Sequence, residues 1–140
     1  MQLREIMSKP AEIAPPETSV ASARAQMSRA RVHHLVATKG RNVVGIVSER
    51  DLEGATPDTP IEALMSSPAV TAPASMTVRD AAKILRGHDI GSLPIVERGR
   101  VVGMVTITDL LALLGKGSVH VNPQTGRFVL WRRGAARAYR

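Results

Sequence analysis

The strongest constraint on the fold is an internal repeat. When the sequence is shifted by 58 positions, residues 7–52 superpose without a gap on residues 65–110, and 15 of the 46 aligned pairs are identical. A duplication at this period indicates two copies of one supersecondary unit, each burying its apolar face against the other. We therefore place the first copy at residues 1–56, the second at residues 57–114 and a separate tail at residues 115–140.

The second copy shows the plan of the unit more clearly. An apolar stretch at residues 69–72, ended by Pro73, predicts a short strand. Thr77, with Asp80 three residues later, predicts a capping box at the start of a helix. Apolar residues at helical spacing then predict its buried face. They are Val78, Ala81, Ala82 and Leu85.

A hairpin and a last helix complete each copy. In the second copy, apolar segments around a Gly-containing turn predict strands at 92–96 and 101–105, followed by a helix at 107–114. The first copy repeats the plan, with strands at 35–38 and 43–47 and a helix over Val20, Ala23 and Met27. Met7 and Met65, at matching positions, are predicted to fill the core. The order β-α-β-β-α places the chain in the mixed α/β (α+β) class.

Each hairpin ends in the same short motif. A glycine near the end of the second strand is followed by a hydroxyl residue and, three positions later, by a carboxylate. The pairs are Ser48 with Asp51 and Thr106 with Asp109. These side chains can meet the polar groups of a ligand, or they can form capping boxes at a helix start. Capping alone does not explain Gly45 and Gly103, which allow close approach of a ligand, a bend, or close helix packing.

The net charge of +7 is concentrated in the tail. Six basic residues and no acidic ones follow Leu114, which leaves 13 basic against 12 acidic residues in the two repeats. All three aromatic residues, Phe128, Trp131 and Tyr139, also lie there, and residues 119–121 and 128–131 predict a small hairpin. Arginines interleaved with aromatics suit phosphate contact and base stacking. We favour docking of the tail on the body of the protein or on a partner, with nucleic-acid binding as the lesser alternative and a disordered tail as the third.

Several function classes find no support in the sequence. No nucleophile is paired with a base, no Gly-rich phosphate loop is followed by lysine, and the histidines show no metal-ligand spacing, so we expect neither an enzyme nor a metal site. His33 and His34 are adjacent on a strand and point to opposite faces, which predicts one buried and one solvated imidazole. With charges near the N-terminus and no long apolar run, we expect a cytoplasmic protein without a membrane span.

The repeat and its motif resemble a known family. Two gapless copies, each ending in Val-x-Gly-h-Val-[Ser/Thr]-x-x-Asp-Leu, with Gly-Ser-Leu-Pro-Ile-Val in the second, resemble a pair of CBS domains, the Bateman module of stand-alone bacterial proteins. The resemblance covers roughly residues 3–114. It implies two units related by a pseudo-two-fold axis, with sheets packed face to face, two clefts between the repeats, and pairing of two chains into a flat homodimer.

The resemblance also implies a site. In relatives that bind adenosine compounds, the motif carboxylate holds the ribose and the hydroxyl residue lies beside it, which carries over to Asp109 with Thr106 and to Asp51 with Ser48. Backbone that frames the adenine in the second site would come from Val70, Thr71, Ala72, Ser92, Leu93 and Pro94, next to Gly103, with Gly45 as its counterpart in the first site. Phosphate contacts are expected from among Arg50, Arg31, His33 and His34.

The first site departs from this pattern. Where the second repeat has Gly91-Ser92-Leu93-Pro94, the first has His33-His34-Leu35-Val36, and Ile13 stands where the second repeat has Thr71. We therefore expect the Asp109 site to be the better adenosine site and the Asp51 site to be altered, empty or selective for something else.

Two functions remain open on the sequence. The first is a non-catalytic regulatory module, requiring no cofactor, that senses AMP, ADP, ATP, S-adenosylmethionine or NAD and signals to an effector protein by a change of angle between repeats or protomers. The second is a ligand-free structural dimer that acts as an adaptor through its tail, with nucleic-acid binding by the tail as a minor alternative.

Overall fold

The computed structural model describes residues 1–115 and, beyond them, the backbone of two short strands. Each repeat forms one small sheet. In the first, strands β1 (Ile13–Ala14), β2 (His34–Lys39) and β3 (Asn42–Ser48) lie in the order β1-β2-β3, with β1 parallel to β2 and β3 antiparallel to it. In the second, β4 (Ser92–Glu97) pairs antiparallel with β5 (Arg100–Thr106).

Matching strand pairs have matching registers. His34 lies opposite Ser48 in the first hairpin, and Ser92 lies opposite Thr106 in the second. Both hairpins also shift register at equivalent places, after Ala37 and after Ile95. The tight turn of the second hairpin uses Arg98 and Gly99, both with positive φ, as two-residue hairpin turns require.

Both long helices begin at a hydroxyl cap, of which the sequence predicted the one at Thr77. Helix α1 (Val20–Ala30) starts at Ser19, whose hydroxyl accepts the backbone N–H of Ser22 at 3.2 Å. Helix α2 (Val78–Gly87) starts at Thr77, which accepts the N–H of Asp80 at 3.1 Å. Helix α3 (Ile107–Leu113) follows β5 directly. Three short 3₁₀ turns complete the repeats. They are Leu3–Glu5, Arg50–Leu52 and Ile61–Ala63.

The lead-in segments, residues 1–11 before the first repeat's sheet and the equivalent residues 59–69 of the second repeat, are exchanged between the repeats. The N-terminal segment packs on the second repeat: Ser8 and Met104 exchange backbone hydrogen bonds of 2.9 and 3.1 Å. The lead-in of the second repeat packs on the first in the same way, through bonds of 3.1 and 2.9 Å between Ile46 and Ser66. This reciprocal crossing gives the module its pseudo-two-fold symmetry and ties the sheets together at the edges of β3 and β5.

Each hydrophobic core therefore draws on both halves of the sequence. The fully buried Leu3 belongs to the core of the second repeat, with Leu93, Ile95 and Val105. Ile61, at the matching position, belongs to the core of the first repeat, with Leu35 and Val47. Met7 and Met65 pack against these two cores, as the sequence predicted.

Four local predictions differ from the structure. Residues 69–72 form a single parallel bridge between Ala72 and Ile95 instead of a strand. The helix expected after the first motif is only the 3₁₀ turn Arg50–Leu52. Ala82 is exposed, and Ile84 packs on the core instead. Asp80 does not close the box at Thr77; its carboxylate lies 3.5 Å from the amine of Lys83.

The tail has a hairpin where the sequence predicts one. Strand β6 (Val119–Val121) pairs antiparallel with β7 (Phe128–Leu130), and Trp131 lies outside the described residues. Within the part of the chain that the structure covers, none of the helices has the length and hydropathy needed to cross a membrane.

Candidate functional site

The motif carboxylates form capping boxes in both repeats. Thr106 N–H donates to Oδ2 of Asp109 at 2.8 Å, and Asp109 N–H donates to the Thr106 hydroxyl at 3.2 Å. Ser48 and Asp51 make the same pair of bonds at 2.8 and 3.1 Å. Among the described residues, neither carboxylate uses its Oδ1 atom in a hydrogen bond. A carboxylate oxygen therefore remains to accept from a ligand while the cap stays intact.

The motif glycines have a packing role. A Cβ atom on Gly103 would lie 2.8 Å from the sulfur of Met7 and 2.9 Å from the carbonyl oxygen of Ser8. On Gly45 it would lie 2.5 Å from the sulfur of Met65 and 2.9 Å from the oxygen of Ser66. The close neighbour of each glycine is the exchanged lead-in segment. Of the three explanations offered for these glycines, the structure therefore supports close packing. The packing partner is the lead-in and not a helix.

The larger part of the Asp109 cleft wall comes from two sources. The second repeat contributes the motif residues Thr106 and Asp109, and the exchanged lead-in contributes Ser8, Pro10 and Ala11, followed by Glu12, whose carbonyl already accepts from β2 of the first repeat. The end of α1 and the start of β2 close the cleft from the first repeat, with Arg31, Val32, His33 and His34. The cavity volume is about 460 Å³, within the range of small-molecule sites.

The Asp51 cleft is built from the symmetry-related elements. Ser48, Glu49, Arg50, Asp51 and Glu53 come from the first motif and the turn that follows it. Ser66 comes from the exchanged lead-in, and Asp89, Ile90 and Gly91 come from the segment after α2. Its volume is about 550 Å³. Asp51 is exposed whereas Asp109 is half-buried, so the Asp109 cleft holds its carboxylate in the less solvated place.

The sequences of both repeats match the model of a known protein family. The CBS domain model matches the chain twice, at residues 3–58 and 61–116. The chain belongs to the CBS domain family. An inosine-5'-monophosphate dehydrogenase from Staphylococcus aureus is 35% identical over 100 residues, which are 68% of this chain. The match covers 20% of the dehydrogenase, so the chain spans about a fifth of that relative's length.

Solved CBS domain pairs share the fold. The pair of protein MJ0100, crystallised with 5-methylthioadenosine and S-adenosyl-L-methionine, superposes with a TM-score of 0.76 at 27% identity, over 81% of this chain and 95% of that one. The CBS protein PAE2072 from Pyrobaculum aerophilum, complexed with AMP, superposes with a TM-score of 0.71 at 25% identity, over 78% of this chain and 89% of that one.

Two histidines form a wall common to both CBS clefts. His33 and His34 line the Asp109 cleft and the Asp51 cleft, together with Gly91. His33 is exposed and its Nδ1 lies 2.7 Å from Oε2 of Glu49. His34 is half-buried, and burial lowers its pKa below the ordinary value of 6.5; the neighbouring His33 lowers it further, and Asp51 opposes the shift. One imidazole is solvated and the other is shielded, as expected, but His33 lies just before β2, so alternation along that strand is not the reason.

Replacing His34 with serine, the residue at the equivalent position in the second repeat, is expected to reduce the acid sensitivity of the fold. Because the folded-state pKa of His34 is lowered, the unfolded chain binds the extra proton more readily, and stability falls as the pH drops below 6.5. Urea unfolding at about pH 7.5 and about pH 5.5 should show a smaller loss in the variant than in the wild type. His34→Asn, which cannot titrate either, should agree; an unchanged loss in both would contradict the prediction.

The structure brings together one part of the sequence-predicted site. Asp109 and Thr106 lie with Arg31, His33 and His34 in one cleft. Asp51, Ser48 and Arg50 lie in the other, so Arg50 does not reach across to Asp109. The described walls do not include Gly45 or Gly103, which face the lead-ins instead.

The residues expected to frame the adenine do not line the Asp109 cleft. Ser92, Leu93 and Pro94 are buried in β4, Ala72 is buried beside it, and neither Val70 nor Thr71 belongs to the Asp109 wall. The lead-in residues Pro10 and Ala11, and Glu12 after them, belong to that wall. The reason is the crossing of the lead-ins, which brings the segment before β1 against β5 of the other repeat.

Sequence reasoning missed the acidic residues of the Asp51 cleft. Glu49, Glu53 and Asp89 line it, and none was expected to take part in a site. A signal existed in the repeat itself. Shifted by 58 positions, Asp89 matches Arg31, which was expected to lie near a ligand.

Proposed function

We propose that this CBS pair is a non-catalytic regulatory module that binds an adenosyl compound in the clefts between its repeats. The observation that carries the proposal is the Asp109 cleft. There, a half-buried carboxylate with an unused oxygen lines a cavity of about 460 Å³ that is also lined by Arg31, His33 and His34. Two CBS pairs of similar structure were solved with adenosyl compounds, which supports the same ligand class here.

The chemistry assigns a role to each group. Asp109 accepts the ribose hydroxyls through the oxygen that the helix cap leaves free, and Thr106 lies beside it. Hydrogen bonds to a charged carboxylate are each worth about 1.5 to 3 kcal/mol. The lead-in residues Pro10 and Ala11 offer apolar surface and backbone to the base, and Arg31 offers a cation to phosphate.

Occupancy is transmitted through the exchanged lead-ins. Ser8 bonds to β5 of the second repeat and also lines the Asp109 cleft, so a ligand there touches the connection between the repeats. A ligand that binds better to one arrangement of the repeats shifts the population toward it. An effector protein that reads this arrangement completes the proposal.

The proposed partner is a second copy of the chain. The groove between α2 and α3 is lined by apolar side chains, of which Leu113 and Leu114 are 40% and 59% exposed, and by three cations. The apolar residues are Val78, Ala82, Leu110, Leu113 and Leu114, and the cations are Arg79, Lys83 and Arg86. The exposed apolar part of this surface favours a homodimer over a solvated face. Nucleic-acid binding through the tail stays a prediction, because its arginine and aromatic side chains lie outside the described residues.

The test is a thermal-shift panel of AMP, ADP, ATP, S-adenosylmethionine and NAD. At about 100 times its dissociation constant, a bound compound adds about 2.7 kcal/mol, which raises the unfolding midpoint of a domain of this size by several degrees. Asp109→Asn should remove most of the shift while keeping a side-chain oxygen for the cap. Asp80→Asn, which changes a first-turn acid outside both clefts, is the matched control and should retain the shift.

Two outcomes would count against the proposal. If no compound in the panel moves the midpoint, the module does not bind this ligand class. If the shift survives in Asp109→Asn, in Asp51→Asn and in the double variant, binding occurs at a different site.

A further inference from the structure

The two clefts carry opposite charges at one pair of equivalent positions. Arg31 follows α1 and Asp89 follows α2, and the two residues are related by the 58-residue shift of the repeat. Both adopt the left-handed conformation, with φ of 57° and 52°. Arg31 lines the Asp109 cleft and Asp89 lines the Asp51 cleft, so each lies in the same cavity as the motif carboxylate of the other repeat. The backbone conformation is alike at the two positions, and the side chains carry opposite charges.

A second difference strengthens the contrast. The residue after each hydroxyl of the motif is Glu49 in the Asp51 cleft and Ile107 in the Asp109 cleft. The described wall of the Asp51 cleft holds four acids and one arginine, Glu49, Asp51, Glu53, Asp89 and Arg50. The wall of the Asp109 cleft holds two acids and one arginine, Glu12, Asp109 and Arg31. With neutral histidines the formal charges are −3 and −1.

The charge of the cleft wall discriminates among ligands that each contain an adenosine group. A phosphate brought into the Asp51 cleft meets Asp89 where the Asp109 cleft offers Arg31, and like charges in a partly solvated cleft repel. A positively charged group on the ligand is attracted by Asp89 in the Asp51 cleft and repelled by Arg31 in the Asp109 cleft. The residues that contact the ribose are the same type in both clefts, so they do not provide this selection.

We propose that Arg31 and Asp89 set the ligand charge that each cleft accepts. The Asp109 cleft takes a phosphorylated adenosyl compound, and the Asp51 cleft takes an adenosyl compound that carries a positive group, such as a sulfonium or an amine. The inference rests on the proposed function, since it concerns which adenosyl ligand enters which cleft. It also assigns a ligand to the Asp51 cleft, whose sequence departs from the pattern of the second repeat.

The experiment reads each cleft separately by isothermal titration calorimetry. Asp109→Asn leaves the Asp51 cleft as the intact one, and Asp51→Asn leaves the Asp109 cleft. The probes are AMP, S-adenosylmethionine and uncharged adenosine. In the Asp109→Asn background, S-adenosylmethionine should bind more tightly than AMP; in the Asp51→Asn background the order should reverse.

Charge reversal then tests the two residues. Asp89→Arg should move the ratio of AMP to S-adenosylmethionine affinity in the Asp51 cleft by about five- to tenfold toward AMP at low salt. Arg31→Asp should move the ratio in the Asp109 cleft by a similar factor in the other direction. Both effects should shrink as salt rises, because the two side chains are exposed. Asp58→Arg, an exposed aspartate outside both walls, is the matched control and should leave both ratios unchanged.

The outcomes distinguish a failure of the charge assignment from a failure of the proposed function. If adenosine binds in both backgrounds but the reversals leave the ratios unchanged, the charge assignment is wrong and the adenosyl module stands. If none of the three probes binds to the wild-type chain, both proposals fail. If Asp58→Arg changes the ratios as much as Asp89→Arg, the effect is one of overall charge, which overturns the role of the two residues.

Discussion

Leu3→Ala is expected to lower the free energy of unfolding by about 2–5 kcal/mol, although the residue lies close to the start of the chain. Leu3 is 0% exposed and packs in the core of the second repeat, where its N–H donates to the carbonyl of Met76 at 2.9 Å. Truncation removes apolar contact and leaves a cavity that the surrounding strands cannot fill. Urea or guanidinium unfolding measures the loss.

The pseudo-symmetry supplies a matched pair and a control for this prediction. Ile61 lies at the equivalent position in the other core and is also 0% exposed, so Ile61→Ala should cost a similar amount. Met1→Ala removes a large side chain that is 69% exposed and should change stability by less than about 0.5 kcal/mol. A Leu3→Ala loss as small as that of Met1→Ala would show that the N-terminal segment is not part of the second core.

Gly103→Val is expected to lower the free energy of unfolding by about 1–3 kcal/mol or more, because it overfills a closed contact. A Cβ at this position meets the Met7 sulfur at 2.8 Å and the Ser8 carbonyl oxygen at 2.9 Å. The methionine can move aside, but the carbonyl is held by its hydrogen bond to Met104 N–H at 3.1 Å. The lead-in must therefore shift away from β5, and calorimetric unfolding should show a lower midpoint.

The comparison with other glycines makes this prediction specific. Gly45→Val should behave like Gly103→Val, since its Cβ would meet Met65 and Ser66 at 2.5 and 2.9 Å. Gly87→Ala has nothing within 4 Å and ends a helix, so it should be neutral or stabilise the fold by about 0.5–1 kcal/mol. A neutral Gly103→Val would mean that the lead-in does not cross β5 so closely.

Local order was readable from the sequence because it depends on neighbouring residues. The strands of both hairpins lie within one or two residues of their predicted bounds, since alternation and turn residues act over short distances. The caps at Thr77 and Thr106 follow from a hydroxyl that accepts the backbone N–H three residues later. Residues 69–72 and the turn at Arg50–Leu52 differ from prediction because a strand or a helix also needs a neighbour that continues the pairing or packing.

The membership of each cleft wall was not readable in this way. The family resemblance implied that Val70–Ala72 and Ser92–Pro94 frame the Asp109 site, whereas Pro10–Glu12, which were not expected there, line its wall. Arg31 was expected to reach a ligand from the first repeat, and it does line this cleft. Such contacts join residues far apart in the chain, and no local pattern states which repeat a lead-in will pack against. In the structure, the bridge between Ser8 and Met104 holds the N-terminal lead-in on β5 of the second repeat.

By itself, the sequence determined that the chain is two copies of one unit, where the strands of both hairpins lie, and that each copy carries a hydroxyl and a carboxylate at the end of its hairpin. The tertiary structure alone decided that the lead-ins cross, that Gly45 and Gly103 give them room, and that Arg31 and Asp89 lie in opposite clefts. The physical reason is that a repeat is a property of the order of residues, whereas a cleft forms between segments that only packing brings together.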